Sequence, residues 1–409
     1  LVLLSLAPPT EVPVRTHGVR LTLTLDGVPH ARRAEQALTA LFTHLDRDGD
    51  GTLSPAELAL APAPLRIRQW SWNYFFTAPG AAVAGAEVDT DHDERVSRAE
   101  FAAYYQRHGI GRPLLMAGVS TSSPALADAL RTALDTDRDG QLSAAELAAA
   151  PTVLARWDRN DDELISPSEL VTNALYPTST QRTPLTVRAQ PGATHAAFDL
   201  VTGSAPHACT LGTDQLLIRA WPGRPLAAFE LAATETIRHW RRLAVNGAVT
   251  HDALTKAPGL RDLFALADRD GDGRLTLAEW EAWLGVQQAL LASQVQIEVQ
   301  DCGSGLFEWL DADGDGVLSV RELRSASQRS ARVDVNRLPR HWRVAISQGP
   351  AQFERPAPLD GPDWFRALDR NRDGDVSPRE FLGTPAAFAM LDRDGDGLIS
   401  GAEAKLAKR

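Results

Sequence analysis

Residues 46–57 read D-R-D-G-D-G-T-L-S-P-A-E, and the rest of the chain is organised around copies of that stretch. Acidic side chains hold positions 1, 3 and 5, and glycine holds position 6. An aliphatic residue stands at 8, a hydroxyl at 9 and a glutamate at 12. In a tight loop alternate positions point inward, so Asp46, Asp48 and Asp50 converge on one point. Such a cage suits a hard cation that takes six to eight oxygens. Gly51 allows the φ > 0 turn that bends the chain around it. Thr52 offers its backbone carbonyl, Ser54 lies where a bridging water is usual, and Glu57 closes the sphere with two carboxylate oxygens. Leu53 is apolar because paired loops cross there in a short antiparallel ribbon.

The same grammar returns at 89–100, 135–146, 158–169, 268–279, 311–322, 369–380 and 392–403. We number the eight stretches loops one to eight. Position 12 is Glu throughout, position 8 is Leu, Val or Ile, and position 9 is Ser or Thr. A single D-x-D-x-D-G could be an acidic turn, but eight copies in register at positions 8, 9 and 12 exclude that reading. On these residues the chain resembles the EF-hand superfamily, and more closely bacterial proteins that carry many EF-hands in tandem. The likeness covers the loops and their flanking helices.

The resemblance implies Ca²⁺ in the loops, with Mg²⁺ at the weaker ones. The implied position-1 ligands are Asp46, Asp89, Asp135, Asp158, Asp268, Asp311, Asp369 and Asp392. Position 3 supplies Asp48, Asp91, Asp137, Asn160, Asp270, Asp313, Asn371 and Asp394. Position 5 supplies Asp50, Asp93, Asp139, Asp162, Asp272, Asp315, Asp373 and Asp396. Backbone carbonyls at position 7 come from Thr52, Arg95, Gln141, Leu164, Arg274, Val317, Asp375 and Leu398. Glu57, Glu100, Glu146, Glu169, Glu279, Glu322, Glu380 and Glu403 close the loops. Two loops depart from the pattern: Glu94 and Glu163 stand where glycine is expected. A side chain in the left-handed region costs on the order of 1 kcal/mol, so loops two and four should bind more weakly or be structural.

Loop starts lie 43, 46 and 23 residues apart in the first four copies and 43, 58 and 23 apart in the last four. That order reads as a duplicated four-loop unit. The expected fold is mainly α, α+β overall, with tandem EF-hand pairs in two halves and a minor antiparallel β component. The expected division is a strand segment at 1–28, EF-hand pairs at 29–110 and 124–176, and a β-rich linker at 177–232. A third pair follows at 233–330, then a linker with a strand at 331–360 and a fourth pair at 361–409.

Hydrophobic content of 44% argues against disorder in a chain of 409 residues. The formal charge is −11, yet the loops hold 34 of the 53 acidic residues and the remainder of the chain is net positive. Filling all eight sites would turn −11 into +5, with consequences for solubility and partners. The two cysteines, Cys209 and Cys302, exclude a disulfide-dense scaffold; they form one bridge or stay as thiols. Residues 1–7, LVLLSLA, read as the tail of a signal peptide or as an apolar strand, and the former points to export. No apolar run reaches the 18 residues that span a membrane.

Between loops the pattern changes. Residues 19–25 alternate strictly, and 38–45 place Leu38, Leu41, Phe42 and Leu45 on one helical face. Pro79, Gly80 and Gly85 make a regular helix before loop two doubtful. Only 147–157 separate loops three and four; Ala-rich 147–150 ends one helix and Pro151 starts the next. Leu154 and Trp157 should pack on Leu130 and Leu134. Strands are expected at 184–190, 195–203, 214–221, 294–300 and 342–347. These pieces either form one β-layer with 19–25 that links the EF-hand pairs, or serve as edge ribbons of each pair. The RHWRR segment at 238–242 reads as the solvated face of an amphipathic helix, and no nucleic-acid site is expected.

No catalytic signature is present: there is no H-E-x-x-H, G-x-S-x-G, phosphate loop or dinucleotide fingerprint. The expectation is a non-enzymatic calcium-binding protein with a structural or buffering role. Sensors often line their target groove with methionine, and only Met116 and Met390 occur. A calcium-dependent extracellular interaction protein, or a sensor acting through an unidentified protein partner, is the alternative.

Overall fold

The computed structural model describes residues 3–5, 18–71, 75, 83–119, 123–172, 174, 183–184, 194–199, 204–211, 213–221, 225–256, 261, 263–348 and 361–407. Every position-8 side chain is buried, from Leu53 to Ile399, and every one lies in a ribbon. Leu53 faces Val96, and Val376 faces Ile399, so loops one and two pair, as do loops seven and eight.

The middle loops do not pair in chain order. Ile165 of loop four faces Leu318 of loop six. Leu142 of loop three faces Val333, in Arg332–Asp334. Leu275 of loop five faces Val249, in Ala248–Thr250. The expected pairings of loop three with four and of loop five with six are therefore replaced: loops three and four pair with segments of the other half, and loop five pairs with a segment shortly before it. The sheet supplies the physical reason. Strand Leu114–Val119 leads into loop three and strand Gln296–Gly303 into loop six, and the two pair in parallel. Parallel pairing delivers both following segments to the same end of the sheet, where they interlock. One core results, drawn from Leu126, Leu130, Leu154, Phe307, Leu318 and Val333 among others, with Trp157 partly buried against it.

The six-stranded sheet runs in the order Ser204–Leu211, Asp214–Trp221, His341–Ser347, Gln296–Gly303, Leu114–Val119, Thr183–Pro184. It is mixed: 214–221 with 341–347 and 296–303 with 114–119 are parallel, and the other contacts are antiparallel. A second sheet joins Gly18–Leu25 to Leu3–Ser5 and Thr194–Asp199 in parallel, and to Val28–Pro29. Leu21, Leu23 and Leu25 of this sheet share a core with Leu216, Ile218, Ile297, Val299, Val344 and Ile346 of the other. The β-pieces thus form a layer between the EF-hand groups, although 18–25 belongs to the smaller sheet. Residues 185–190 and 200–203, read above as strand, lie outside the described residues. Strands 114–119 and 204–211 had no alternating pattern to announce them.

Helix His30–Leu45 buries Leu38, Leu41, Phe42 and Leu45 as their spacing requires. It packs in one core with Trp280 and Trp283 of helix Leu277–Ala292, so loops one, two and five share a hydrophobic centre. Helix Ala144–Leu154 runs through Pro151 instead of breaking there, because Leu147, Ala150 and Leu154 are all buried along it. In the stretch 77–88 that leads into loop two, only Gly85–Val88 is helical among the described residues. Trp240 of helix Pro225–Leu243 is buried and donates to the Leu275 carbonyl at 3.1 Å, while Arg238 and Arg242 are exposed. Loops seven and eight have a small core of their own around Phe365, Val376 and Ile399. Cys209 and Cys302 form no disulfide with each other. Among the described residues no helix is long and apolar enough to cross a membrane.

Candidate metal centres

Each loop is held in a closed shape by its own backbone. The N–H of position 6 donates to the position-1 aspartate in all eight loops, from Gly51 to Asp46 at 3.1 Å through Gly397 to Asp392 at 2.9 Å. Position 6 has positive φ in every loop, which Glu94 (66°) and Glu163 (63°) adopt as well as the six glycines. Position 4 is also left-handed throughout. Glycine serves there in loops one, five, six and eight, but His92, Arg138, Asp161 and Arg372 carry side chains. Loops two and four therefore bear two strained residues each, and loops three and seven bear one.

Position 12 does two jobs. In seven loops the glutamate completes a capping box with the Ser or Thr at position 9, which starts the exiting helix. Ser377 and Glu380 make the same N–H bonds in loop seven. The other carboxylate oxygen reaches back to the start of the loop, as in Arg47 N–H to Glu57 at 2.7 Å and Arg393 N–H to Glu403 at 2.7 Å.

This folding brings the expected acids together. In loop six Asp311, Asp313, Asp315 and Glu322 offer oxygens all within 4.8 Å of one another. Asp46, Asp48 and Glu57 do so in loop one, as do Asp89, Asp91 and Glu100 in loop two. Asp135, Asp137 and Glu146 form the cluster of loop three, and Asp268, Asp270 and Glu279 that of loop five. In loops four and seven the position-3 residue is an amide that donates to position 5: Asn160 to Asp162 at 2.9 Å, Asn371 to Asp373 at 3.2 Å. Position-7 residues stand at or beside the start of each ribbon strand, with Thr52 opening the first.

The donor set fits a cation. Asp46, Asp135, Asp311 and Asp392 each keep a buried Oδ1 with no hydrogen-bond partner. An unpaired buried carboxylate oxygen is costly, and a bound cation would relieve it. Burial pushes Asp311 up to about 7, against the pull of Arg343, and pushes Asp373 up to about 7 as well. Burial also drives Glu322 upward, with the Asp311 charge adding to it. At position 12 of loops two and three the direction reverses. The Ser97 N–H, with help from Thr90, holds Glu100 down at about 2, and the Ser143 N–H leads the same effect at Glu146, also about 2.

The EF hand family matches six segments: 38–60, 132–149, 260–284, 305–326, 363–382 and 386–403. These six segments are EF hands. Loops two and four, the EF-hand loops with glutamate at position 6, fall outside the matched segments. A rice (Oryza sativa subsp. japonica) protein named probable calcium-binding protein CML16 is 37% identical over 116 residues, covering 28% of this chain and 56% of its own. The chain thus spans little more than half the length of that relative. A second rice protein, probable calcium-binding protein CML17, is 24% identical over 165 residues, covering 37% of this chain and 90% of its own. No solved structure gives a significant match.

Sequence reasoning missed two kinds of residue. One kind is the ribbon partners without ligands, Ala248–Thr250 and Arg332–Asp334. Their signal was an apolar residue at the position-8 equivalent, Val249 followed by Thr250 in the first case. The other is a set of arginines that join loops. Arg47 of loop one donates to the Asp268 carbonyl at 2.9 Å, and Arg269 of loop five donates back to the Asp46 carbonyl at 3.1 Å. Arg321 of loop six grips Asp375 at 2.6 and 2.7 Å and Asp396 at 2.8 Å, which ties loop six to loops seven and eight. Arg379 of loop seven reaches Asp161 of loop four at 2.5 Å.

Proposed function

We propose that this EF-hand protein binds calcium at most of its loops and that occupancy stabilises the fold, in a structural or buffering role. The observation that carries this reading is the set of orphaned Oδ1 atoms on Asp46, Asp135, Asp311 and Asp392, three of them inside clusters with the loop's other acids. The relatives' printed names, calcium-binding proteins, support the same reading. When bound, the ion supplies positive charge. The chain's residues do the rest: position 1 and position 12 offer oxygens, position 6 holds the turn, and the capping box fixes the helix that follows. Loops one, five and eight have glycine at positions 4 and 6 and aspartate at 1, 3 and 5, and should fill first. Loops two and four should fill last, with magnesium as a competitor.

The test is calorimetric calcium titration of stripped protein with thermal unfolding followed in parallel. The expected result is about five ions or more, from the loops with intact ligand sets. Stability should climb with free calcium by about 2.7 kcal/mol per site at a hundred times its Kd. Two ions or fewer, or a melting temperature indifferent to calcium, would refute the reading.

A further inference from the structure

The face of the six-stranded sheet that turns away from its apolar core carries two arginines, and both reach loop six. Parallel pairing sets Leu217 beside Arg343 and Arg219 beside Ala345, so these residues share one face. Leu216, Ile218, Val344 and Ile346 alternate with them and fill the core on the other face. Arg343 forms an ion pair with Asp311 Oδ2, and the two side chains are only 8% and 0% exposed. Arg219 donates to the Asp313 carbonyl and lies 3.7 Å from its carboxylate. A Cβ added at Gly314 would strike Leu217, so the loop sits directly on the sheet. Among the described residues no other position-1 aspartate has an arginine ion pair. The arginines that reach loops one, three and eight take the position-5 carboxylates of Asp50, Asp139 and Asp396, which are 34%, 42% and 30% exposed.

We propose that Arg343, assisted by Arg219, is a built-in counter-ion of loop six, holding that loop closed without a metal and lowering its calcium affinity below that of loop five. This rests on the reading that the loops bind calcium. Loop six, D-A-D-G-D-G-V-L-S-V-R-E, has every ligand and both glycines, so its own sequence ranks it with loop five. Its surroundings do not. Asp311 Oδ2 is already taken by the Gly316 N–H at 3.1 Å and by Arg343, and only Oδ1 is left for a cation. A cation arriving there meets a fixed positive charge across one carboxylate, in a buried setting that screens little. Removing one partner of a buried ion pair leaves the other uncompensated, so the guanidinium is not easily displaced.

The experiment compares stripped full-length wild type with Arg343→Met and Arg219→Met, by calcium calorimetry and by ion-free thermal unfolding. Arg343→Met should lower the ion-free melting temperature and tighten one site by roughly tenfold or more. Adding Glu322→Gln to Arg343→Met should abolish that gained site and so assign it to loop six. Arg219→Met should move both readouts in the same directions by less, and it carries the comparison if Arg343→Met does not fold. An unchanged ion-free melting temperature, or an unchanged or weaker site, in the folded variant would overturn the proposal. If wild type and variants bind no calcium at any loop, the calcium reading itself fails and the affinity part of the proposal falls with it. The melting comparison still decides whether Arg343 holds the empty loop.

Discussion

Loops five and six carry the same acids at the same positions and both bury the first aspartate, yet what surrounds them differs. In loop five Asp270 and Asp272 are exposed and Glu279 is half-buried. The loop leans on a ribbon partner, Ala248–Thr250, that brings no carboxylate of its own at position 12. In loop six Glu322 is buried, Asp311 is sealed against Arg343, and the exiting helix sends Arg321 into loops seven and eight. The difference teaches that ligand type and spacing encode a cage, whereas the cost of leaving it empty is set by elements far away in sequence. Among the described residues no arginine ion pair neutralises the acids of loop five, which are left to solvent and to any cation that binds. Loop six has part of its neutralisation supplied by the sheet.

The largest expected effect follows directly. Glu279→Gln should cut loop-five affinity by about a hundredfold, some 2.7 kcal/mol, because it removes the bidentate ligand. Glu322→Gln should change the measured calcium uptake far less and should raise ion-free stability, since it removes a buried charge that burial already disfavours. Titration calorimetry of the two variants side by side decides it. Equal losses would erase the distinction between the loops.

The pH dependence sharpens the same contrast. Asp311 and Asp373 stand at about 7, well above an ordinary aspartate at 3.8. A carboxyl raised by folding contributes stability below its unfolded value and loses it as pH rises through the folded value. Ion-free protein should therefore weaken between about pH 4 and 7. Glu100 and Glu146, held at about 2, act in the opposite sense: their contribution is present above 4.5 and disappears as pH falls toward 2. The ion-free protein should be most stable near pH 4.5 to 5, and calcium should move that optimum toward neutrality. Asp311→Asn should flatten the loss between pH 5 and 7. An ion-free optimum at pH 7 or above would contradict the assignment.

Much of the EF-hand content was legible because its physics is local. The position-6 turn, the capping box and the buried position-8 residue all lie within twelve residues of one another, and each appears in the structure where the spacing put it. Helix His30–Leu45 was legible for the same reason. Partner choice was not, because it depends on the parallel register of 114–119 with 296–303, which no local pattern states. Pro151 misled because a helix-breaking tendency was weighed without the buried face of Leu147, Ala150 and Leu154. Arg343 looked like any residue of an alternating strand until Asp311 was found beneath it.

Loops two and four extend the comparison to a shared defect. Both hold glutamate at position 6 with positive φ, and glycine there should relieve about 1 kcal/mol, which corresponds to roughly fivefold in affinity. For Glu94→Gly that gain should appear in full, as Glu94 is exposed. Glu163 is different. It accepts from the Ser377 hydroxyl and lies 3.8 Å from Arg379, so it helps seat loop four on loop seven. Glu163→Gly should therefore relieve the backbone and lose the contact, with little net change at loop four and a weaker loop seven. Site-resolved titration of both variants measures this. Equal gains in the two would mean that the contact between loops four and seven contributes nothing, and that loop affinity here is a matter of backbone strain alone.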